Sequence, residues 1–168
     1  MIKLATPVSH LFENKEYEEI IVKKSDVLEC RDRSINYHNH LDKQELFHCE
    51  LQPIHEWSDV EWKFLQKIKD TKPNLKLLTL HAASCCDKPV LIRKMFELGG
   101  REYTRKEMKY FAKTNFLKIK SIFGSNVEIA IENNNYYPTE AYRDVTEAKF
   151  ISEIVNDNDL RFLFDIAH

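Results

Sequence analysis

Among the metal-binding side chains of this chain of 168 residues, five stand out by their position: His48, His81, Glu132, Asp165 and His168. Each closes or follows a short apolar run. Phe47 precedes His48, Leu80 precedes His81, Ile129-Ala130-Ile131 precedes Glu132, and Phe162-Leu163-Phe164 precedes Asp165 and His168. If these runs are parallel strands, the five side chains meet at the strands' C-terminal ends, where α/β folds place their chemistry. Imidazoles and carboxylates gathered there suit a divalent metal such as iron, manganese or zinc. An ion with open positions binds substrate and activates it. All five residues are therefore candidate ligands, and Glu132 and Asp165 are also the candidate catalytic residues.

Each has a plainer alternative. His48 fits a half-buried strand histidine bonded to backbone. His81 is followed by the small residues Ala82-Ala83-Ser84, which leave its ring accessible. A carboxylate directly after Ile129-Ala130-Ile131 must be solvated, paired or metal-bound, because burying it alone is costly. The same holds for Asp165 between Phe164 and Ile166, for which an internal salt bridge is the alternative. His168 is the terminal residue of this sequence and subject to fraying. His38-Asn39-His40 has the letters of a nuclease signature without its context and reads as a solvated loop. Tyr136-Tyr137-Pro138 reads as a loop over the end of the fifth strand.

The elements that must position these residues alternate between short apolar runs and longer stretches of helical period. Strands are predicted over 2–5, 27–30, 46–51, 75–81, 127–131 and the terminal segment, which its apolar residues mark as buried. A helix is predicted around 13–24, with no long helix between strands two and three. Ser58 with Glu61 and Thr104 with Glu107 have capping-box spacing and open two further helices. Asp87-Lys88-Pro89 is expected to start a short helix ending at Gly99-Gly100. Thr146 is expected to cap a last helix with Phe150, Ile151, Ile154 and Val155 inward. The pattern is α/β, about six parallel strands with helical crossovers, in a single domain over 1–168. An open doubly wound sheet and an incomplete (β/α)8 barrel both fit it. The glycine-free Thr6-Pro7-Val8-Ser9-His10 after the first strand argues against a phosphate-binding loop.

Composition narrows the class. Hydrophobic residues make up 43% and charged residues 31%, as in an ordinary folded domain. A net charge of −2, from 25 basic and 27 acidic residues, gives no sequence-wide reason to expect a nucleic-acid partner. No apolar run approaches the ~18 residues of a membrane span, and the first residues lack a secretion-signal layout, so no membrane partner and a cytoplasmic location are expected. Cys30, Cys49, Cys85 and Cys86 have neither zinc-ligand spacing nor scaffold density and are expected as buried free thiols.

Several of these short runs resemble one family. Phe47-His48 resembles the strand-three histidine of the xylose-isomerase-like TIM barrels, and Leu80-His81-Ala82 resembles their strand-four histidine. The similarity is greatest to the multinuclear-iron enzymes of the MbnB and TglH type, which modify cysteine in ribosomally made peptides. Ile131-Glu132-Asn133, with Tyr136 or Tyr137 beyond, resembles their Glu-Asn motif followed by an aromatic, and Leu163-Phe164-Asp165 resembles the Leu-Leu-Asp before an Asn-Asn pair. Here that pair is Ala167-His168, more similar to the sugar isomerase and epimerase branch, and Cys49-Glu50-Leu51-Gln52-Pro53 stands where the family has a glycine-rich stretch. The resemblance implies a metal-dependent enzyme acting on a small molecule or a peptide. It also implies the N-terminal three-quarters of a barrel truncated after strand six, since a full barrel needs ~250 residues. A second chain or self-association would then complete the barrel. The competing expectation is a non-catalytic partner protein whose open edges dock another chain.

Overall fold

The computed structural model of the chain describes residues 2–166. Six parallel strands form one sheet in the order β1 (Ala5–Pro7), β2 (Val27–Arg31), β3 (Leu46–His48), β4 (Leu77–His81), β7 (Glu128–Glu132) and β8 (Arg161–Leu163). The strands follow one another in sequence without a reversal. Between β4 and β7 the chain makes an antiparallel hairpin, β5 (Val90–Ile92) and β6 (Met95–Glu97). The helices are α1 (Lys15–Lys24), α2 (Asp59–Thr71), α3 (Arg105–Phe123) and α4 (Ala148–Asp157).

Local chemistry explains most boundaries. Both expected capping boxes form: the Ser58 N–H donates to Glu61 Oε2 at 2.8 Å, and the Thr104 N–H donates to Glu107 Oε2 at 2.8 Å. Asn14 caps α1, its Oδ1 accepting from the Glu16 and Tyr17 amides. Gly124 ends α3 with φ 72°, a conformation a side chain would strain. Between β2 and β3 only short 3-10 turns occur, as expected. That loop is pinned from below by Lys72, buried, whose Nζ donates to Gln44 Oε1 and to the Tyr37 carbonyl, both at 2.8 Å.

The strands' alternation sorts side chains onto two faces. Leu78 and Leu80 of β4, Ile129 and Ile131 of β7 and Phe47 of β3 join one apolar cluster with Leu65 and Ile68 of α2, Met108, Phe116 and Ile119 of α3, and Phe150 and Ile154 of α4. Side chains of the other parity belong to the opposite face. The ladder pairs Arg31 with His48, His48 with Thr79, His81 with Glu132, and Glu132 with Leu163, so these residues share it.

Four expectations need correction. Strand one covers Ala5–Pro7 and not 2–5. The segment after Pro89 is a hairpin, not a helix: the three-residue strands Val90–Ile92 and Met95–Glu97 flank Arg93-Lys94, both with positive φ (50° and 67°), in the geometry of a two-residue hairpin turn. Gly99 allows the stem to close, because a Cβ there would lie 2.3 Å from the Lys88 carbonyl oxygen. The terminal strand is not an interior one: β8 lies at the sheet's end, with Phe162, Phe164 and Ile166 exposed by 47%, 67% and 86%. Finally, α4 starts one residue later than a Thr146 cap would give, with Glu147 in the cap position. Thr146 instead lies 3.5 Å from the Tyr142 carbonyl, to which its hydroxyl donates.

Among the described residues no helix is long and apolar enough to cross a membrane, and Cys30, Cys49, Cys85 and Cys86 are all buried and free.

Candidate metal centre

Three of the five candidate ligands converge. His48 ends β3, His81 ends β4 and Glu132 ends β7, three strands that are neighbours in the sheet. The His48 and His81 rings meet edge to face with centroids 4.7 Å apart and their Nε2 atoms at 2.7 Å. Glu132 Oε2 lies 3.3 Å from His48 Nε2 and 3.3 Å from His81 Nδ1. One donor atom from each of the three lies within 4.8 Å of the others, so the group can hold a metal ion.

The donor chemistry fits a cation. Two ring nitrogens at 2.7 Å must share a proton, one donating and the other accepting, since two lone pairs would repel. An ion replaces that proton and uses both lone pairs. Burial pushes the His48 imidazole below its ordinary value. Arg31 adds to this, while Glu29, Glu50 and Asp165 pull the other way. A ring held neutral near pH 7 is in the protonation state that metals bind. Glu132, 3% exposed, supplies the negative charge in an otherwise dry position. Two histidines and one glutamate match the three-protein-ligand pattern that leaves a position open for substrate.

Asp165 stands beside this cluster and outside it. It lies two residues past β8, half-buried, and it is among the charges acting on the His48 ring. Its expected desolvation between Phe164 and Ile166 does not occur, since both neighbours are exposed. Asn133 reaches across to its backbone: Asn133 Oδ1 accepts from the Asp165 N–H at 2.7 Å, and Asn133 Nδ2 donates to the Asp165 carbonyl at 3.0 Å. His168 lies outside the described residues.

The loops behind the site are laced together. The His81 N–H donates to the Leu51 carbonyl at 3.2 Å, and Gln52 Oε1 accepts from the Ala83 and Ser84 amides, both at 2.9 Å. His55 is buried, with Nε2 donating to the Ser84 carbonyl at 2.8 Å and its ring stacked on Tyr103. These contacts fix the turn that follows His81.

Sequence reading missed a cleft of about 770 Å3 at the C-terminal ends of β1 to β3, lined by Val8, Phe12, Arg31, Asp32, Tyr37 and Glu50. Arg31 and Glu50 also act on the charge of His48, which makes the cleft its neighbour. The signal was there: Arg31-Asp32 follows the second apolar run as His48 follows the third. Asp32 is pushed up by burial, against the pull of the Glu50 amide. Burial also pushes the adjacent Cys49 thiol well up, with Asp32 adding to it, so this cysteine is not an activated nucleophile.

The remaining motifs lie in loops, outside the group of three converging ligands. His38 and His40 are exposed, and His40 Nε2 lies 3.4 Å from Glu18, which also accepts from the Tyr37 hydroxyl and from Asn39. Tyr137 packs on Tyr142, while Tyr136 is exposed. Compared with known proteins, the chain matches no family model and no curated sequence.

Proposed function

We propose that the chain is a metal-dependent enzyme of the xylose-isomerase-like barrel type. The observation that carries this reading is the convergence of His48, His81 and Glu132 at the C-terminal ends of three adjacent parallel strands. The strand order supports it: a doubly wound sheet reverses direction at a switch point, and β1-β2-β3-β4-β7-β8 never does. The apolar face of that sheet meets α2, α3 and α4 in one cluster, as the outer face of a barrel meets its ring of helices.

In this reading His48, His81 and Glu132 hold the ion, and Asp165 adds a second carboxylate beside them. A bound divalent metal would supply Lewis-acid polarisation of a carbonyl or hydroxyl, the need of a sugar isomerase or epimerase, or, as iron with dioxygen as the oxidant, redox chemistry at a peptide cysteine. The cleft beside His48 binds the small molecule or peptide. Arg31 and Glu50 offer it charges of both signs, and Phe12 and Tyr37 an aromatic wall.

Anaerobic reconstitution with iron(II), manganese(II) or zinc(II), followed by metal analysis of the desalted protein, tests the reading. At least one of these ions is expected to remain in stoichiometric amount, and to be lost from Glu132→Gln and His81→Ala. Wild-type protein free of metal after all three treatments would overturn it.

One observation favours a second reading, a non-catalytic partner protein. Exposed Phe162 and Phe164 border a cleft of about 480 Å3 with Ile151 and Val155 of α4, at the open end of the sheet. This reading expects a stable complex with another chain and no bound metal.

A further inference from the structure

We propose that Asn133 is a positioning residue for the metal centre, its side-chain amide replacing one rung of the β7–β8 ladder so that Asp165 is held on the metal-binding face as a further ligand. The inference rests on the metal reading above. It starts from register. Glu132 pairs with Leu163 as the last rung between the two strands, and the Asn133 N–H still reaches the Leu163 carbonyl at 3.3 Å. There the strands end, and Asp165 lies two residues further on. Successive side chains alternate between faces, so residue 165 has the parity of residue 163 and shares the face of Glu132, His81 and His48 only if its backbone stays extended beside β7.

Asn133 supplies the restraint. A residue within a sheet donates one N–H and accepts at one carbonyl along its paired edge. Both groups of Asp165 are satisfied here by one side chain, Oδ1 taking the N–H at 2.7 Å and Nδ2 giving to the carbonyl at 3.0 Å. Only a primary amide offers an acceptor and a donor in that arrangement. Aspartate at 133 would keep the acceptor and set a negative charge against the Asp165 carbonyl, and alanine would leave both groups to water. The clamp follows directly on Glu132, so one short segment carries a ligand and the device that orients the next.

Cobalt(II) is the probe, its visible bands reporting the number and type of ligands. Titrations of wild type, Asn133→Ala, Asp165→Asn and the double variant form a cycle. Loss of a group that orients a ligand weakens metal binding by about 10- to 100-fold. Asn133→Ala and Asp165→Asn are each expected to fall in that range with the same altered bands, and the double variant to be no weaker than either. In metal-free protein the Asp165 amide is expected to exchange faster in Asn133→Ala, with the β4 and β7 amides unchanged. Asn133→Asp, which keeps one of the two bonds, is expected to fall between and serves if the alanine variant does not fold. Wild-type uptake of cobalt with unaffected binding in Asn133→Ala, or losses that multiply in the double variant, would overturn the inference alone. Wild-type protein that takes up neither cobalt(II) nor any of iron(II), manganese(II) and zinc(II) would overturn the metal reading and the inference with it.

Discussion

A histidine that must be neutral to do its work makes a protein sensitive to acid, and buried His55 and the half-buried pair His48 and His81 do so for different reasons. His55 donates Nε2–H to the Ser84 carbonyl, and burial lowers its pKa from 6.5, although that carbonyl pulls the other way. A histidine pKa depressed by folding means that the unfolded chain binds the proton more readily. The stability it contributes is therefore fully present above pH 6.5 and is lost as pH falls from there through the lowered native value. Urea midpoints are expected to drop between pH 7.5 and 5, with a shallower slope in His55→Gln. A flat profile in the wild type would contradict this. For the metal centre, protons compete with the ion for His48 and His81, so zinc affinity should fall on acidification by up to about tenfold per pH unit for each ring that must be deprotonated. Calorimetric titrations at several pH values would measure it. The residue scale was the most legible in sequence for His48, His81 and Glu132, because each closes an apolar run and its position needs only strand parity. Asp165 was half legible: its place past the last strand was right, but the covering of Phe164 and Ile166 depends on tertiary contacts that an apolar run does not reveal.

At the scale of elements, the hairpin of β5 and β6 carries the clearest local cost. Arg93 and Lys94 both occupy left-handed backbone, where a side chain costs roughly 1 kcal/mol or more and Asn-Gly is the favoured pair. The double substitution Arg93→Asn with Lys94→Gly is expected to stabilise the protein by about 1 kcal/mol, measurable as a higher denaturation midpoint. No change or a loss would show that the two long side chains contribute more than they cost. This hairpin was not legible because Pro89 and Gly99-Gly100 also mark the start and end of a helix, and three apolar residues are too few to show a period. The two capping boxes were legible because their signal is complete within four residues. In the core, Phe150 is fully buried on α4 against the sheet. Phe150→Ala is expected to cost about 3 to 5 kcal/mol, enough to remove most of a small domain's stability.

For the whole molecule, the sheet has β1 at one end and β8 at the other, and aromatic side chains stand exposed at the β8 end. Exposed apolar strand edges favour association. Light scattering is expected to give a mass above the 20.0 kDa of one chain at high protein concentration. Phe162→Lys with Phe164→Lys is expected to return it to one chain without disturbing the buried cluster, which contains neither residue. A single-chain mass for the wild type at all concentrations would contradict this. That the strands run parallel was legible from the alternation of apolar runs with capped helices, but their order without reversal was not, since the same alternation fits a doubly wound sheet. The closure of the sheet was not, because runs of this length look alike whether or not another strand lies beside them.

The ladder that sets His81 opposite Glu132 also makes the gene intolerant of small losses. Removing one codon within 128–131 shifts the alternation by one step and turns the carboxylate toward the greasy side occupied by Ile129 and Ile131. The same loss in the connecting turn at 125–126 only shortens a bend. A scan of single-codon deletions would thus divide this short stretch into a silent part and a forbidden part, with the division at the first residue of β7.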